Sequence, residues 1–338
     1  MSDLTPQQLS LALGLALGLA FGVLAERSAF CFRSALVGAE PRRSMGLWML
    51  ALAVAILATQ GAVAAGLLDF GGHRFLAPDL PLLAVLGGGL MFGAGMVLTR
   101  GCLSRLLIVG AAGNLRALAT FLLAAIVAHA AQKGVLAPLR LAIVEITWPV
   151  GEAADLGRLP GGPLAWTLLL AGAALLLALR GRIGARLAAL GVLIGLLVPA
   201  GWLGTGWLLA DEMDPLPLES LSFVGPSADS LFWFIAATSI PAGFGVGLIG
   251  GTAAGAFASS LAAGSRQRAS FESPAQMLRY GAGAALMGFG GVLAGGCTIG
   301  AGLSGIPLLS LSAVLTLAAI TAGALATNAA LNHGALGA

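Results

Sequence analysis

Residues 293–305 read LAGGCTIGAGLSG, a stretch that holds five glycines, a threonine, a serine and one of the three cysteines of the chain. It follows directly on a strongly hydrophobic segment, yet each glycine destabilises a helix interior by about 1 kcal/mol relative to alanine. Irregular backbone at membrane depth is tolerated only where protein buries it or where it lines a cavity. The stretch therefore predicts the end of a helix followed by a short inserted element.

The composition around this stretch is that of a membrane protein. Hydrophobic residues make up 58% of the 338 residues and charged residues only 9%, whereas soluble domains carry about 25% charged residues. A spanning helix needs about 20 apolar residues. The candidate spans are 10–25, 45–68, 82–98, 117–137, 163–179, 187–209, 231–250, 278–294 and 307–330. We therefore predict an all-α integral membrane protein with about nine transmembrane helices.

Basic residues are distributed unevenly between the loops. Loops after odd-numbered spans hold Arg27, Arg33, Arg42, Arg43, Arg100, Arg105, Arg116, Arg180, Arg182, Arg186, Arg266, Arg268 and Arg279. Loops after even-numbered spans hold only Arg74, Lys133, Arg140 and Arg158. Cytoplasmic loops carry an excess of Lys and Arg, so the N-terminus is predicted outside and the C-terminus in the cytoplasm. The start, MSDLTPQQLS, lacks the basic region of a secretory signal, so the first span is expected to be retained.

One loop has the opposite character. The segment 210–230 is acidic and contains no basic residue. Its acidic residues are Asp211, Glu212, Asp214, Glu219 and Asp229. Because it follows an even-numbered span, its charge agrees with a position outside the cytoplasm.

The glycine-cysteine stretch has a counterpart earlier in the chain. With Cys102 and Cys297 aligned, GGGLMFGAGMVLTRGC (87–102) matches GAALMGFGGVLAGGC (283–297) at several Gly, Val and Leu positions. FGVLAERSAFCFRSAL (21–36) matches VGLIGGTAAGAFASSL (246–261) more weakly, and Cys31 aligns with Ala256. The two matches predict a pseudo-symmetric repeat within a single transport domain over residues 1–338. The repeat halves are about 10–137 and 231–330, and spans within 163–209 connect them.

The repeat is expected to be inverted, as in transporters whose sites form at the membrane midplane from interrupted helices. In the nine-span topology Cys102 and Cys297 follow spans that end on opposite sides of the membrane. The first half contains roughly one extra span, so whether its first arm is inverted stays open. Four short segments are predicted to insert without spanning: 27–39, 100–113, 252–264 and 296–306.

All three cysteines lie in or beside these polar interruptions, and none forms the CxxC spacing of a zinc site or a disulfide framework. A free thiol is mostly neutral at pH 7, and it offers a polarizable sulfur without repelling an anion. Cys31, Cys102 and Cys297 are therefore predicted to bind and relay a soft, sulfur-bearing anion. Arg27, Arg33, Arg100 and Arg105 lie near two of them in sequence and either attract the anion or anchor the protein at the cytoplasmic surface.

At these residues the sequence resembles the YeeE/YedE family of bacterial sulfur-compound transporters. The matching motifs are ERSAFCFRSAL (26–36), RGCLSRLLIVGAAGNLRAL (100–118) and GGCTIGAGLSG (295–305). The resemblance implies an inner-membrane protein of nine spanning and four short helices that takes up thiosulfate. It also implies that Cys31, Cys102 and Cys297 line a central narrow path. One position departs from the pattern, because related sequences often have His where this chain has Ala301.

The partners implied by the resemblance are the thiosulfate ion, the lipid bilayer and a small cytoplasmic TusA-like sulfurtransferase. Neither a nucleic acid nor a cofactor or metal is expected, and the protein is interpreted as a transporter rather than an enzyme. Three alternatives remain open at this point. The cargo could be another sulfur or selenium species, the protein could be a membrane-embedded sulfurtransferase or thiol-redox enzyme, or it could be a structural membrane subunit.

Overall fold

The computed structural model describes residues 5–210, 216–266 and 269–333, so Asp211, Glu212 and Asp214 of the acidic loop lie outside the described residues. Its α-helices are α1 (Pro6–Ser28), α2 (Phe32–Val37), α3 (Pro41–Ala64), α4 (Leu82–Leu98), α5 (Leu103–Ala111), α6 (Leu115–Lys133), α7 (Ala137–Val144), α8 (Gly162–Arg180), α9 (Ala185–Leu203), α10 (Val224–Ala236), α11 (Phe244–Ala263), α12 (Pro274–Leu293) and α13 (Leu311–Asn332). Two π-helices follow spans, π1 (Gly204–Leu208) and π2 (Thr298–Gly305).

The remaining elements are short. Single 3₁₀ turns are formed by Arg74–Leu76, Gly151–Ala154, Leu156–Arg158 and Ile306–Leu308. Strands β1 (Asp79–Leu80) and β2 (Trp148–Pro149) pair antiparallel and join the loop before α4 to the loop after α7. The core between the helices holds large, fully buried side chains, among them Trp48, Phe21 and Phe92.

Within the described ranges, nine helical segments are long and apolar enough to cross a membrane. They contain α1, α3, α4, α6, α8, α9, α11, α12 and α13. On the outer surface of the bundle, α8 leaves large leucines such as Leu164 and Leu168 exposed, which suits contact with lipid. The protein is therefore an all-α integral membrane protein, as the sequence predicts.

The prediction of the seventh span is wrong. Residues 231–250 do not form one helix, because α10 ends at Ala236 and α11 begins only at Phe244. The interruption contains Pro241, which has no N–H to donate and restricts the preceding residue to non-helical backbone. The spanning helix is α11, about thirteen residues further along the chain than predicted, whereas α10 is too short to span.

Three of the four predicted short insertions coincide with short helical elements. Segment 27–39 contains α2, segment 100–113 contains α5, and segment 296–306 contains π2. The fourth prediction, 252–264, is wrong, because these residues are the second half of the continuous helix α11. The alanine-rich sequence there favours helix, and the backbone turns left-handed only at Gly264. Two further short helices are present: α7, which follows a span, and α10, which precedes one.

The helices that lead to Cys102 and Cys297 run in opposite directions. Gly88, near the start of α4, packs against Gly290 and Ala294 near the end of α12. Gly95, near the end of α4, packs against Gly283 and Met287 in the first half of α12. Helices α4 and α12 are therefore antiparallel, and the breaks that follow them lie at opposite ends of the pair. This is the geometry that an inverted relation between the two motifs requires.

Helices α1 and α11 run in the same direction. The glycines of α1 face successive carbonyl groups of α11: Gly14 faces Phe244, Gly18 faces Leu248, and Gly22 faces Thr252. Because matched helices of an inverted repeat run in opposite directions, the arms 21–36 and 246–261 are not related by inversion. The open question about the first arm is thereby answered.

The close contact between the glycines of α1 and the backbone of α11 predicts an effect on thermal stability. A Cβ on Gly18 would overlap the backbone carbonyl oxygen of Leu248, so Gly18→Ala should separate α1 from α11 and lower Tm by several degrees. Gly61→Ala on α3 is the matched control, since a Cβ there meets nothing within 4 Å and alanine favours helix. Thermal unfolding in detergent measures both variants. Equal Tm values for the two would contradict close packing of α1 on α11.

Candidate functional site

The three cysteines occupy the same local structure. Each is the N-cap residue of a short helical element that follows a spanning helix: Cys31 of α2, Cys102 of α5 and Cys297 of π2. Two residues before each cysteine the backbone is left-handed, at Ala29 (φ 52°), Arg100 (φ 58°) and Gly295 (φ 74°). A left-handed residue is a common way to end a helix, and here it turns the chain so that a new helix starts at the cysteine. Nothing in the hydropathy of the three motifs predicts this shared turn.

The thiols are free and buried, with exposed fractions of 5% for Cys31, 1% for Cys102 and 2% for Cys297. The side chains of Cys31 and Cys102 lie close to one another, although 71 positions separate them in the sequence. The Sγ of Cys102 also lies 3.3 Å from the hydroxyl of Ser104. Two of the three predicted relay residues therefore form one site, the Cys31–Cys102 pair.

Cys297 lies apart from this pair, beyond the opposite end of the antiparallel helices α4 and α12. Its Sγ accepts a hydrogen bond of 3.3 Å from the backbone N–H of Gly300. This bond is a thiol cap on the first turn of π2, and it fixes the side chain at the start of that helix. The structure thus separates the predicted relay into one cysteine at one end and two at the other.

The four candidate arginines have different surroundings. Arg27 is tied to the α1–α11 contact, since its Nε donates to Ser259 (2.8 Å), which in turn donates to the carboxylate of Glu26 (2.7 Å). Arg105 is close enough to Cys31 to interact with it electrostatically. The Nε of Arg33 is buried without a hydrogen-bond partner, and Arg100 is exposed at the left-handed position of its turn. Only Arg105 is thus shown beside a predicted relay thiol.

A cavity of about 810 Å³ opens onto the Cys297 turn; we call it the vestibule. Its wall at the turn includes Gly295, Gly296 and Gly300, which lack side chains and let the cavity approach the start of π2, whose residues are themselves buried. Other walls come from the loop before α4, the end of α6, the segment before α10, and α10 itself. The vestibule therefore leads from the surface of the protein to the glycines on either side of Cys297, the cysteine that lies apart from the other two.

Basic side chains form part of the lining of the vestibule. Arg74, Lys133 and Arg140 line it, and these are three of the four basic residues that the sequence places in loops after even-numbered spans. Arg74 lies close enough to Cys297 and to Glu219 to interact with both electrostatically. Burial lowers the pKa of Arg74, but a guanidinium stays protonated at neutral pH. Three of the four exceptions to the charge bias of the loops are thus gathered at one site.

A comparison with protein families places most of the chain in one family. A family model described as sulphur transport matches residues 27–326, which include all three cysteine turns and the whole vestibule. The chain belongs to the sulphur transport family. No curated protein matches it.

Acidic side chains also line the vestibule of this sulphur transport family member: Asp69, Glu219 and Asp229. The backbone of Glu219 is held by Thr205 of π1, whose hydroxyl donates to the Glu219 carbonyl (2.8 Å) and accepts from its N–H (3.1 Å). Burial is the main reason that the pKa of Glu219 rises to about 7, and the nearby carboxylate of Asp229 adds to it. A carboxyl group that titrates near neutral pH therefore faces the cations of the vestibule.

Reasoning from the sequence missed the vestibule residues. In the sequence, Arg74, Lys133 and Arg140 stand out only as basic residues in the loops that hold few of them. Glu219 stands out only as one residue of an acidic loop. The available signal is the minority itself, because basic residues in loops that are predicted to lie outside the cytoplasm need another reason to be there. Their convergence could not be predicted, since it depends on how the loops after α3, α6 and α9 fold over π2.

Proposed function

We propose that this member of the sulphur transport family takes up thiosulfate and relays it from Cys297 to the Cys31–Cys102 pair. The observation that carries the proposal is the arrangement of three free, buried thiols at two ends of the α4–α12 pair, one end lying at a vestibule whose lining includes three basic side chains. Neutral thiols hold the polarizable terminal sulfur without a fixed charge. Several weak contacts favour passage, because a site that binds too tightly does not release its ion.

The proposed orientation places the vestibule outside the cell and the Cys31–Cys102 pair toward the cytoplasm. The loop charges support it under the positive-inside rule, with the N-terminus outside and the C-terminus in the cytoplasm of a bacterial inner membrane. The directions of the helices agree with this topology, since α1 and α11 run in the same direction whereas α4 and α12 are antiparallel. The basic side chains of a vestibule outside would attract anions before they reach Cys297, and the acidic side chains would oppose this to the extent that they are ionised.

Uptake of an anion against the membrane potential requires that the ion be consumed in the cytoplasm. Moving charge against the membrane potential costs about 2.3 kcal/mol per charge per 100 mV, so a dianion faces roughly 4–5 kcal/mol on entry. Consumption of the ion by a small TusA-like sulfurtransferase at the cytoplasmic face would remove the product and sustain the flux. Such a partner would dock near the Cys31–Cys102 pair.

A growth experiment tests the substrate. A bacterial host that cannot import inorganic sulfur is supplied with this gene and grown on thiosulfate, sulfate or selenite. Growth on thiosulfate, together with uptake of labelled thiosulfate into proteoliposomes that contain the purified protein, is the expected result. Growth on sulfate alone, or uptake equal to that of empty liposomes, would overturn the assignment of thiosulfate.

The contact between Cys31 and Cys102 also favours a second candidate, a membrane-embedded sulfurtransferase or thiol-redox enzyme. Such an enzyme uses a thiolate as nucleophile and needs a neighbouring group to activate it, and Arg105 lies beside Cys31. Mass spectrometry after incubation with thiosulfate separates the two candidates. A persulfide on Cys31 or Cys102 would favour the enzyme, whereas unmodified cysteines during active uptake favour transport.

A further inference from the structure

Two buried hydrogen-bond donors lie between the Cys297 turn and the Cys31–Cys102 pair without a partner. They are the indole Nε1 of Trp48 and the hydroxyl of Thr298, and the two residues are 0% and 1% exposed. Leaving a buried donor unpaired costs about 1–3 kcal/mol, so nearly all such groups in folded proteins are satisfied. Other described residues, among them Thr252 and Trp202, also hold unpaired buried atoms, and Trp48 and Thr298 are set apart by their position at the elements that carry the cysteines.

Trp48 connects the helical elements of the two cysteine sites. On one side its ring packs against Phe32, the residue after Cys31, with ring centroids 4.6 Å apart. On another side it approaches Gly302 of π2, where a Cβ would lie 3.1 Å from Cη2 of the indole. Trp48 therefore occupies the space through which an ion would pass from π2 to α2.

Thr298 lies directly after Cys297 at the first position of π2. Buried threonines on the spanning helices commonly donate to the carbonyl four residues earlier, as Thr120 does to Arg116 and Thr316 does to Ser312. Another hydroxyl on π2, that of Ser304, is also satisfied, since it donates to the carbonyl of Leu221 at 2.7 Å. Thr59 and Thr252 are also buried without a partner, and what distinguishes Thr298 from them is its position directly after Cys297.

We propose that the indole N–H of Trp48 and the hydroxyl of Thr298 form an intermediate site that binds the oxygen atoms of a sulfur oxyanion between Cys297 and the Cys31–Cys102 pair. The inference rests on the proposed function and adds residues that the family resemblance does not assign. Thiols suit the sulfur end of such an ion, whereas its oxygen atoms accept hydrogen bonds and need donors. The site replaces part of the hydration that the ion loses on leaving the vestibule.

The two proposed donors are uncharged. Among the described residues, every fully buried polar side chain is Ser, Thr or Asn, so no Lys or Arg is fully buried beside Trp48 or Thr298. Two neutral donors bind an anion more weakly than a guanidinium would, and weak binding allows the ion to leave. Entry past the charged side chains of the vestibule and passage between two neutral donors are therefore separate steps.

Uptake by variants tests the site. Trp48→Phe removes the N–H and keeps most of the ring, and Thr298→Val removes the hydroxyl at equal size; each should lower the initial rate of thiosulfate uptake about tenfold. Thr298→Ser, which keeps a hydroxyl, should retain most of the rate. Thr252→Val is the matched control, since Thr252 is equally buried and unpaired but lies on α11 against α1, and its uptake should equal that of the wild type.

Thermal stability separates this role from a structural one. Because the Thr298 hydroxyl has no partner in the protein, Thr298→Val removes a desolvation cost and should leave Tm unchanged or raise it. A structural hydroxyl would give the reverse result, with lower Tm and unchanged transport per folded molecule. Wild-type uptake by both Trp48→Phe and Thr298→Val would overturn the inference while leaving the proposed function intact.

A binding measurement decides the inference independently of transport. The indole N–H signal of Trp48 is identified in NMR spectra by its absence in Trp48→Phe, and it should shift when thiosulfate is added to the wild-type protein. Sulfite, sulfate and selenite are added in parallel. If selenite or sulfite shifts the signal and thiosulfate does not, the site stands and the substrate under the proposed function is wrong. If none of the four ions shifts it, the site is overturned.

Discussion

Replacing Cys297 with alanine should reduce thiosulfate uptake by on the order of a hundredfold, the largest loss expected from any single cysteine. Cys297 is the cysteine at the vestibule turn, whereas Cys31 and Cys102 are neighbours of one another. When Cys297 is lost, no second thiol remains at that end to take the first contact with the ion. Cys31→Ala and Cys102→Ala should each cost only about tenfold, because the remaining thiol of the pair still offers a sulfur.

A serine variant separates the loss of sulfur from the loss of structure. The Sγ of Cys297 accepts the Gly300 N–H as a cap, and serine is among the best N-cap residues. Cys297→Ser should therefore keep the wild-type Tm and still lose most of the uptake. Initial rates in proteoliposomes, normalised to folded protein, measure the effect. Uptake by Cys297→Ser at the wild-type rate would show that a hydroxyl suffices and would contradict a role for sulfur.

Composition and hydropathy predict most of the spans, because twenty apolar residues in a row have few alternatives to crossing a bilayer. The failure at 231–250 is local and has a physical cause. Hydropathy averages over Pro241 and Gly243, although these residues interrupt the helix between α10 and α11. The wrong prediction of a short insertion at 252–264 has the same cause, because these residues belong to the true spanning helix α11.

The motifs predict which cysteines matter but not how they are arranged. The sequence places Cys31 and Cys102 after different spans, and only the packing of α1 and α4 into one bundle makes their thiols neighbours. The intermediate site is harder still to predict, because Trp48 lies in the middle of an ordinary apolar span. That its indole N–H has no hydrogen-bond partner is known only from the positions of all the atoms around it.

Glu219 predicts a pH dependence of uptake, because it is the vestibule carboxyl group whose pKa lies near neutral pH. Burial raises that pKa to about 7, so the carboxyl is mostly neutral at pH 6 and mostly ionised at pH 8. Across this range Arg74 stays cationic. His73 stays neutral, because burial lowers its pKa to about 4.

The raised pKa of Glu219 also makes the stability of the protein depend on pH. The pKa of Glu219 is above the ordinary value of 4.5 that it regains on unfolding, so between these two values the folded protein binds more protons than the unfolded protein. Stability therefore falls as the pH rises from about 4.5 through about 7. Glu219→Gln removes the titrating group, and its Tm should fall less over this range than that of the wild type.

Uptake by the wild type should fall several-fold as the external pH rises from 6 to 8, because ionised Glu219 places a negative charge in the path of an incoming anion. Glu219→Gln should keep the high rate at both values, since its neutral amide mimics the protonated acid. Asp69→Asn is the control. Asp69 also lines the vestibule, but its carboxylate accepts a hydrogen bond from the backbone N–H of Gly71 at 2.9 Å, and the variant should leave the pH dependence of uptake in place.

A Glu219→Gln rate that still falls between pH 6 and 8 would assign the titration to another group. A rate that rises with pH in the wild type would mean that ionised Glu219 helps to orient Arg74 instead of opposing the ion.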